Sequence, residues 1–209
     1  MLFDSEFKKA LQLLPGHEKD KLILRLLKHD LNLANKLRFE LLDTDSVQDK
    51  REQVKNRIIK RVQIITGRYY SAGYLLMDVR EISSEINEHV NITNDKLGEI
   101  CLNCIMLRQL LELNGERIGA EKYDKVYTLC IYIVARIFKI LILLQKQHED
   151  LHLEVEDDIK AIGMLIGKNH YLMKTAINHG MDVNWLIQFK IPKNIADIYK
   201  KLRKNGFLK

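Results

Sequence analysis

VYTLCIYIVARIFKILILL, residues 126–144, is a predominantly apolar stretch with the length of a membrane span or of a central helix in a soluble bundle. Arg136 and Lys139 lie inside it, and each would cost about 2.5–3.5 kcal/mol at the centre of a bilayer. A helix that is apolar nearly all round is also what the middle of a soluble bundle requires. We therefore predict a buried bundle helix over roughly residues 120–149, with a membrane span as the alternative, and we expect no membrane partner.

Two apolar stripes precede this stretch at steps of three and four residues. They are Leu75, Val79, Ile82, Ile86 and Val90, followed after a turn by Leu97, Ile100, Cys104, Leu107 and Leu111. Asn114-Gly115 is predicted to end the second of these helices, and a fourth helix is predicted over about residues 155–178. Four long helices with short turns are typical of an up-down four-helix bundle, which we predict for residues 68–209 with a C-terminal helical cap and a basic tail.

Residues 1–67 are predicted to form a short N-terminal helical unit. Pro15-Gly16 and the polar turn at residues 43–46 separate segments whose apolar residues have helical spacing, and the last segment ends at Gly67. The 209 residues include only two prolines, which favours helices throughout. The sequence therefore predicts an all-α protein with a boundary between residues 67 and 68, or alternatively one continuous domain.

Positive charge is concentrated at the two ends of the chain. Residues 1–68 carry 15 Lys and Arg against 10 Asp and Glu, residues 69–158 carry 9 against 16, and residues 159–209 carry 10 against 2. Two basic clusters are candidate nucleic-acid-binding surfaces: Lys50, Arg51, Lys55, Arg57, Lys60 and Arg61, and Lys200, Lys201, Arg203 and Lys204. Solvated helix faces, or pairing of the ends with the acidic middle, are the alternatives.

The stretch QHEDLH, residues 147–152, contains H-E-x-x-H, the helical motif of zinc proteases. On a helix, His148 and His152 would share a face and could both bind one metal while Glu149 polarises its water. No Glu follows Glu156 to act as a third ligand, and acidic residues crowd the motif. The alternative, which we favour, is a solvated helix end followed by a turn.

A C-x-x-C motif is formed by Cys101 and Cys104. A structural zinc would need two further ligands, and a redox pair would need a thioredoxin-like setting, and the surrounding sequence shows neither. Both cysteines lie on or beside an apolar helical stripe, where a small buried residue fits. We therefore interpret them as core residues.

Two acidic motifs, Glu85-Ile-Asn-Glu88 and Glu121-Lys-Tyr-Asp124, spell E-x-x-E and E-x-x-D. Together they resemble the magnesium site of the all-α nucleoside triphosphate pyrophosphohydrolases, the MazG and dimeric dUTPase group. The resemblance implies that these four acids hold Mg²⁺ that bridges the phosphates of a nucleotide. A complete predicted helix lies between the two motifs, so in an up-down bundle we expect the acids at opposite ends, where Glu121 and Asp124 instead suit a helix N-terminus.

Three cysteines, an odd number, do not suggest a disulfide framework, and the N-terminus lacks the pattern of a signal peptide, so we expect a cytoplasmic protein. No motif names a catalytic reaction, and no cofactor is expected. The function that we predict is a non-catalytic helical interaction or scaffold protein, with a protein partner or self-association. A nucleic-acid-binding protein and a Mg²⁺-dependent nucleotide pyrophosphohydrolase are the alternatives.

Overall fold

A computed structural model describes residues 4–208, and these residues form helices and turns without any β-strand. The prediction of an all-α protein is confirmed. Residues 1–3 and Lys209, the outer ends of the predicted N-terminal unit and basic tail, lie outside the described residues. The helices are α1 Ser5–Leu13, α2 Gly16–Leu27, α3 Leu31–Leu42, α4 Val47–Gly67, α5 Ala72–Thr93, α6 Lys96–Ala120, α7 Tyr123–Leu144, α8 Leu153–Lys168, α9 His170–Asn178, α10 Asn184–Ile187 and α11 Ile195–Lys204, with a 3₁₀ helix at Glu149–His152.

The contacts divide the chain into two compact units. The smaller unit comprises the described part of residues 1–44 with Asn91–Thr93, and the larger unit comprises the remaining residues from Asp45 onwards. The predicted boundary between residues 67 and 68 stays a prediction, whereas the division of the contacts falls after Thr44 and places α4 in the larger unit. The reason is that α4 buries Val54, Ile58 and Val62 in the core of the larger unit.

Helix α6 is the central helix of the larger unit, because it packs against α4, α7, α8 and α9. Its buried residues occur on most sides of the helix, so it has no single apolar stripe. Phe138 from α7 and Met106 and Leu107 from α6 are among the large side chains that are completely removed from water. Burial of one such side chain contributes about 1.5–3 kcal/mol to folding, so these residues are major contributors to the stability of the unit.

The prediction that the second long helix ends at Asn114-Gly115 is wrong, because α6 continues to Ala120. Asn114 is fully buried, and its Nδ2 donates hydrogen bonds to the Leu110 carbonyl at 3.1 Å and to Thr66 Oγ1 at 2.9 Å. These partners let an asparagine, which usually favours helix ends, remain inside a helix. Gly115 follows it with open space around its α-carbon.

The predicted fourth helix is divided into α8 and α9 at Asn169. Asn169 has an extended backbone, and its Oδ1 accepts hydrogen bonds from the N–H groups of Tyr171 and Leu172, which caps α9. Its Nδ2 donates to the Gly115 carbonyl at 2.7 Å and so joins the break to α6. The apolar spacing continues through the break, which explains why periodicity alone missed it.

Helix α7 contains the apolar stretch 126–144 and is, within residues 4–208, the one helix long and apolar enough to cross a membrane. In its most apolar window, 56% of the residues are buried inside the protein. Lys139 forms an ion pair with Glu99 of α6, with a distance of 2.6 Å between Nζ and Oε1. The burial of α7 against other helices gives its apolar composition a packing role.

Candidate functional site

Arg51 of the first predicted basic cluster lies in a largely buried ion pair, and does not belong to an open basic surface. Its Nε and Nη2 each donate to the carboxylate of Asp95 at 2.7 Å. Asp95 is also 3.2 Å from His89 Nε2 and accepts the Gly98 N–H at 2.8 Å, which caps α6. This cluster joins α4, α5 and α6 around one carboxylate.

Arg57 and Arg61 of the same basic cluster face acids on α5. Arg57 Nε donates to Glu85 Oε1 at 2.5 Å. Arg61 lies between two carboxylates, 2.9 Å from Glu81 Oε2 and 3.4 Å from Glu85 Oε2. These pairs neutralise charge that could otherwise contact phosphates.

Two of the three lysines of this cluster also have acidic partners. Lys50 pairs with Asp45 at 3.1 Å, and Lys55 pairs with Glu52 at the same distance. Lys60 is exposed and takes part in no ion pair within residues 4–208. The α4 surface is therefore a mixed-charge surface, and its binding to nucleic acid stays a prediction.

The C-terminal cluster differs from the first one. Lys200, Lys201 and Lys204 are exposed on α11 and form no ion pair within the described part of the chain. The guanidinium of Arg203 donates to the Leu208 carbonyl, which folds the last residues back along the helix. This cluster is consequently the one basic surface of the two that keeps most of its charge available.

The H-E-x-x-H residues do not form one turn of an α-helix, because α7 ends at Leu144 and the motif falls in a turn and the 3₁₀ helix. His148 is exposed, and its Nδ1 lies 3.2 Å from Asp150 Oδ2. His152 Nε2 lies 3.0 Å from the Leu144 carbonyl. The two histidines therefore have different neighbours, and within residues 4–208 they belong to no group of three or more possible metal ligands.

The four acids of the predicted magnesium site lie apart. Glu121 accepts the N–H of Ala72, the first residue of α5, at 2.9 Å. Glu85 and Glu88 lie about 20 Å and about 24 Å further along α5, at about 1.5 Å per residue. Asp124 is exposed in the first turn of α7. Within residues 4–208, no group of three or more His, Cys, Asp and Glu side chains is placed to hold a metal ion.

Cys104 and Cys130 are buried, Cys101 is partly buried near the charged groups of Arg51 and Glu154, and the three cysteines form no disulfide with one another. Burial raises the pKa of Cys101 to about 11 and that of Cys130 to about 12, and it also raises the pKa of Cys104. The thiols are therefore protonated at neutral pH, whereas metal binding and redox chemistry use the thiolate. Cys104 is therefore a core residue as predicted, whereas Cys101 is partly buried and packs against the core.

The smaller unit has an unusual surface, because none of the side chains of α1, α2 and α3 is buried. Asp4 and Asp30 cap α1 and α3, so the local signals for helices are present. We call the apolar residues that these helices leave exposed the N-terminal apolar surface: Phe7, Leu13, Ile23, Leu24, Leu26, Leu31, Leu33, Leu41 and Leu42. Sequence periodicity identified many of these residues as helix faces but could not show that they stay uncovered.

Sequence reasoning missed two features, the Asp95 cluster and the exposure of the N-terminal apolar surface. An Asp that precedes an apolar helical segment is a sequence signal for a helix N-cap, and Asp95 has this position before α6, where it accepts the N–H of Gly98. The basic α11 surface and the N-terminal apolar surface remain as the candidates for binding.

No protein-family model matches the chain, and no curated protein or solved structure was found to be similar to it.

Proposed function

We propose that the protein is a non-catalytic helical interaction protein, and that residues 4–44 bind an apolar surface of a protein partner. The observation that carries this proposal is the N-terminal apolar surface. A further copy of the same chain is the first partner to test. We place its action in the cytoplasm, a proposal supported by three cysteines that form no disulfide.

The physical reason is that α1, α2 and α3 lack a core. They contain 9, 12 and 12 residues, and isolated helices shorter than about 12–15 residues are marginal in water. Helices in proteins gain most of their stability by packing an apolar face. A partner that covers this face would supply the missing burial, at roughly 25 cal/mol for each Å² of apolar area.

The charges of this unit favour a protein partner. Residues 4–44 contain eight Lys and Arg against seven Asp and Glu, so they carry almost no net charge. Binding to nucleic acid depends mainly on an excess of positive charge. Large exposed apolar surfaces with a mixed-charge rim are typical of protein–protein contacts.

We also propose that the long helices of the larger unit are arranged as an up-down bundle. The contacts of α6 with α7 and α8, and the short connections between α5, α6 and α7, support this arrangement. Such a bundle would provide a rigid body that carries the binding unit. Distances between spin labels placed on the ends of α5, α6, α7 and α8 would test the direction of each helix.

Sedimentation velocity over a concentration series tests the interaction. We expect the wild-type protein to self-associate and the double variant Leu41→Asp and Leu42→Asp to be monomeric, because both leucines are exposed and the variant keeps its fold. Leu153→Asp is the matched control, since Leu153 is 74% exposed, as Leu42 is, but lies in the larger unit. A monomeric wild type would exclude self-association, and proximity labelling in cells would then ask whether any neighbour requires Leu41 and Leu42. If none does, the proposal fails.

A second candidate function, binding of nucleic acid, is favoured by the unpaired lysines of α11. Fluorescence anisotropy with mixed-sequence RNA and DNA over a salt series measures it. Binding that weakens steeply with salt and is lost after Lys200→Gln, Lys201→Gln and Lys204→Gln would support it. Lys50→Gln with Lys55→Gln is the control, because both lysines already have acidic partners. Absence of binding at low salt would reject this function.

A further inference from the structure

A groove of about 430 Å³ opens beside α7 in the larger unit. Its walls include residues of α7 and the aromatic ring of Tyr199 from α11, and the residues that matter here are Tyr132, Arg136, Lys139, Ile142, Leu143 and Tyr199. Its volume lies within the range of roughly 300–1,000 Å³ that is usual for small-molecule sites. The α7 side chains in the groove are partly exposed, so a ligand could reach them.

The two cations in the groove have different surroundings. Lys139 is neutralised by Glu99, whose side chain is only 10% exposed. Arg136 has no carboxylate within ion-pair distance in the part of the chain that the structure describes. Its guanidinium contacts only neutral oxygens, so a partly buried positive charge remains uncompensated beside the groove.

Arg136 is nevertheless held in a defined position. Its Nη2 donates to the Tyr132 hydroxyl at 2.6 Å, its Nη1 lies 3.5 Å from Asn103 Oδ1, and its carbon lies 5.1 Å from the centre of the Tyr132 ring. The Tyr132 hydroxyl is 2.5 Å from Ser83 Oγ, which donates to the Val79 carbonyl at 2.9 Å. One chain of hydrogen bonds thus leads from Arg136 to the backbone of α5, which orients the guanidinium before a ligand arrives.

Apolar side chains line the part of the groove beyond Arg136. Ile142 and Leu143 lie one to two turns further along α7, and the Tyr199 ring is fixed against Phe138 with 5.6 Å between ring centres. A guanidinium with free donors matches the two oxygens of a carboxylate or phosphate. The apolar residues match a hydrocarbon or aromatic body attached to that group.

We propose that this groove binds a small amphiphilic anion, with its carboxylate or phosphate on Arg136 and its apolar body along Ile142, Leu143 and Tyr199. The bound anion supplies the negative charge that the protein itself does not provide. The site lies in the larger unit and does not depend on the N-terminal apolar surface.

Isothermal titration calorimetry with the full chain tests the site, with decanoate and decyl phosphate as probes below their micelle concentrations. Decanol has the same chain without the charge, and inorganic phosphate has the charge without the chain. We expect saturable binding of at least one of the two anions and at least about tenfold weaker binding of decanol and of inorganic phosphate, because neither satisfies both halves of the groove. Preference for one anion would identify the head group.

Variants separate the charge from the fold. Arg136→Gln should weaken binding of the preferred anion about tenfold or more, whereas Arg136→Lys, which keeps the charge, should weaken it less. Lys193→Gln is the control, because Lys193 is an exposed cation outside the groove. If the Arg136→Gln variant does not fold, the binding of the anion to Arg136→Lys and the binding of decanol to the wild type still test the proposal. The proposal is wrong if neither anion binds at millimolar concentration, or if decanol binds as tightly as the anions.

Discussion

Asp95 shows how one buried carboxylate holds three helices together. Burial by itself would raise its pKa, but hydrogen bonds from His89, Arg51 and the Gly98 N–H outweigh burial and hold the pKa well below its usual range. Because the pKa is lower in the folded state, the ionised carboxylate stabilises the fold at pH values above its ordinary pKa of 3.8. This stabilisation is lost progressively as the pH falls from that value through the lowered pKa.

We predict that Asp95→Asn lowers the free energy of unfolding by about 3 kcal/mol at pH 7, because Arg51 would lose the partner of its charge. The difference between the variant and the wild type should shrink at pH 3. Urea unfolding at the two pH values measures it. Asp150→Asn is the control, since Asp150 is exposed and should change stability by less than about 0.5 kcal/mol. An equal loss at both pH values would contradict the role given to the ionised carboxylate.

His179 is a second residue whose ionisation matters. Its Nδ1 accepts the N–H of Leu208 at 3.0 Å, so Nε2 carries the proton and donates to the Tyr127 hydroxyl at 3.1 Å. Burial lowers the pKa of His179 from its usual 6.5. The contact with Leu208 is therefore fully present above pH 6.5 and is lost as the pH falls through the lowered pKa, when Nδ1 becomes protonated.

We predict that the amide resonance of Leu208 moves on acidification, with an apparent pKa below 6.5. A ¹H–¹⁵N NMR titration between about pH 8 and pH 5 measures it, with the imidazole resonances of His179 followed in parallel. The His179→Gln variant should abolish the titration of Leu208. The prediction is wrong if the Leu208 resonance does not change with pH, or if it changes with the ordinary pKa of 6.5.

Helix α8 illustrates how a single position sets the distance between elements. A β-carbon at Gly163 would lie 2.8 Å from Leu186 Cβ and 3.0 Å from the backbone nitrogen of Ile187, both in α10. The close packing of α8 on α10 therefore depends on the absence of a side chain at this position. Gly167, one turn later, has nothing within 4 Å of such a carbon.

We predict that Gly163→Ala destabilises the protein by about 1–3 kcal/mol, because α10 must move away from α8. Gly167→Ala should be neutral or stabilising by up to about 1 kcal/mol, since alanine is the better helix former. Thermal and urea unfolding of the two variants measure both values. Equal effects would mean that α10 adjusts freely.

Element boundaries also show the limits of local patterns. The spacing of apolar residues correctly indicated the helices α5 and most of α6. The end of α6 was misplaced because Asn114 donates a hydrogen bond to Thr66 of α4, a contact that the local sequence does not show. Asn169 was missed as a break for the opposite reason, since its capping bonds need no change in apolar spacing. In both places an asparagine also bonds to a residue distant in sequence, Thr66 for Asn114 and Gly115 for Asn169, and a pattern of apolar residues does not report such bonds.

For the whole molecule, the division into two compact units predicts that the larger unit folds without the smaller one. The buried core cluster contains no residue before Val54. We expect a chain without residues 1–44 to unfold cooperatively, with a urea midpoint close to that of the full chain, because it keeps every residue of the buried core cluster. Circular dichroism at each urea concentration measures this. Loss of the cooperative transition would show that the larger unit needs the N-terminal helices.

The amino-acid order was sufficient to predict the helical class and the burial of a helix over residues 126–144, because apolar periodicity and composition act locally. It could not reveal which charges are cancelled, since Arg51 meets Asp95 and Arg57 meets Glu85 only after folding. The same limit explains the uncompensated Arg136, the separated acids of the predicted magnesium site and the uncovered face of α1, α2 and α3. Periodicity reports which side of a helix is apolar, whereas only the packing of helices against each other determines what covers that side and which charges become neighbours.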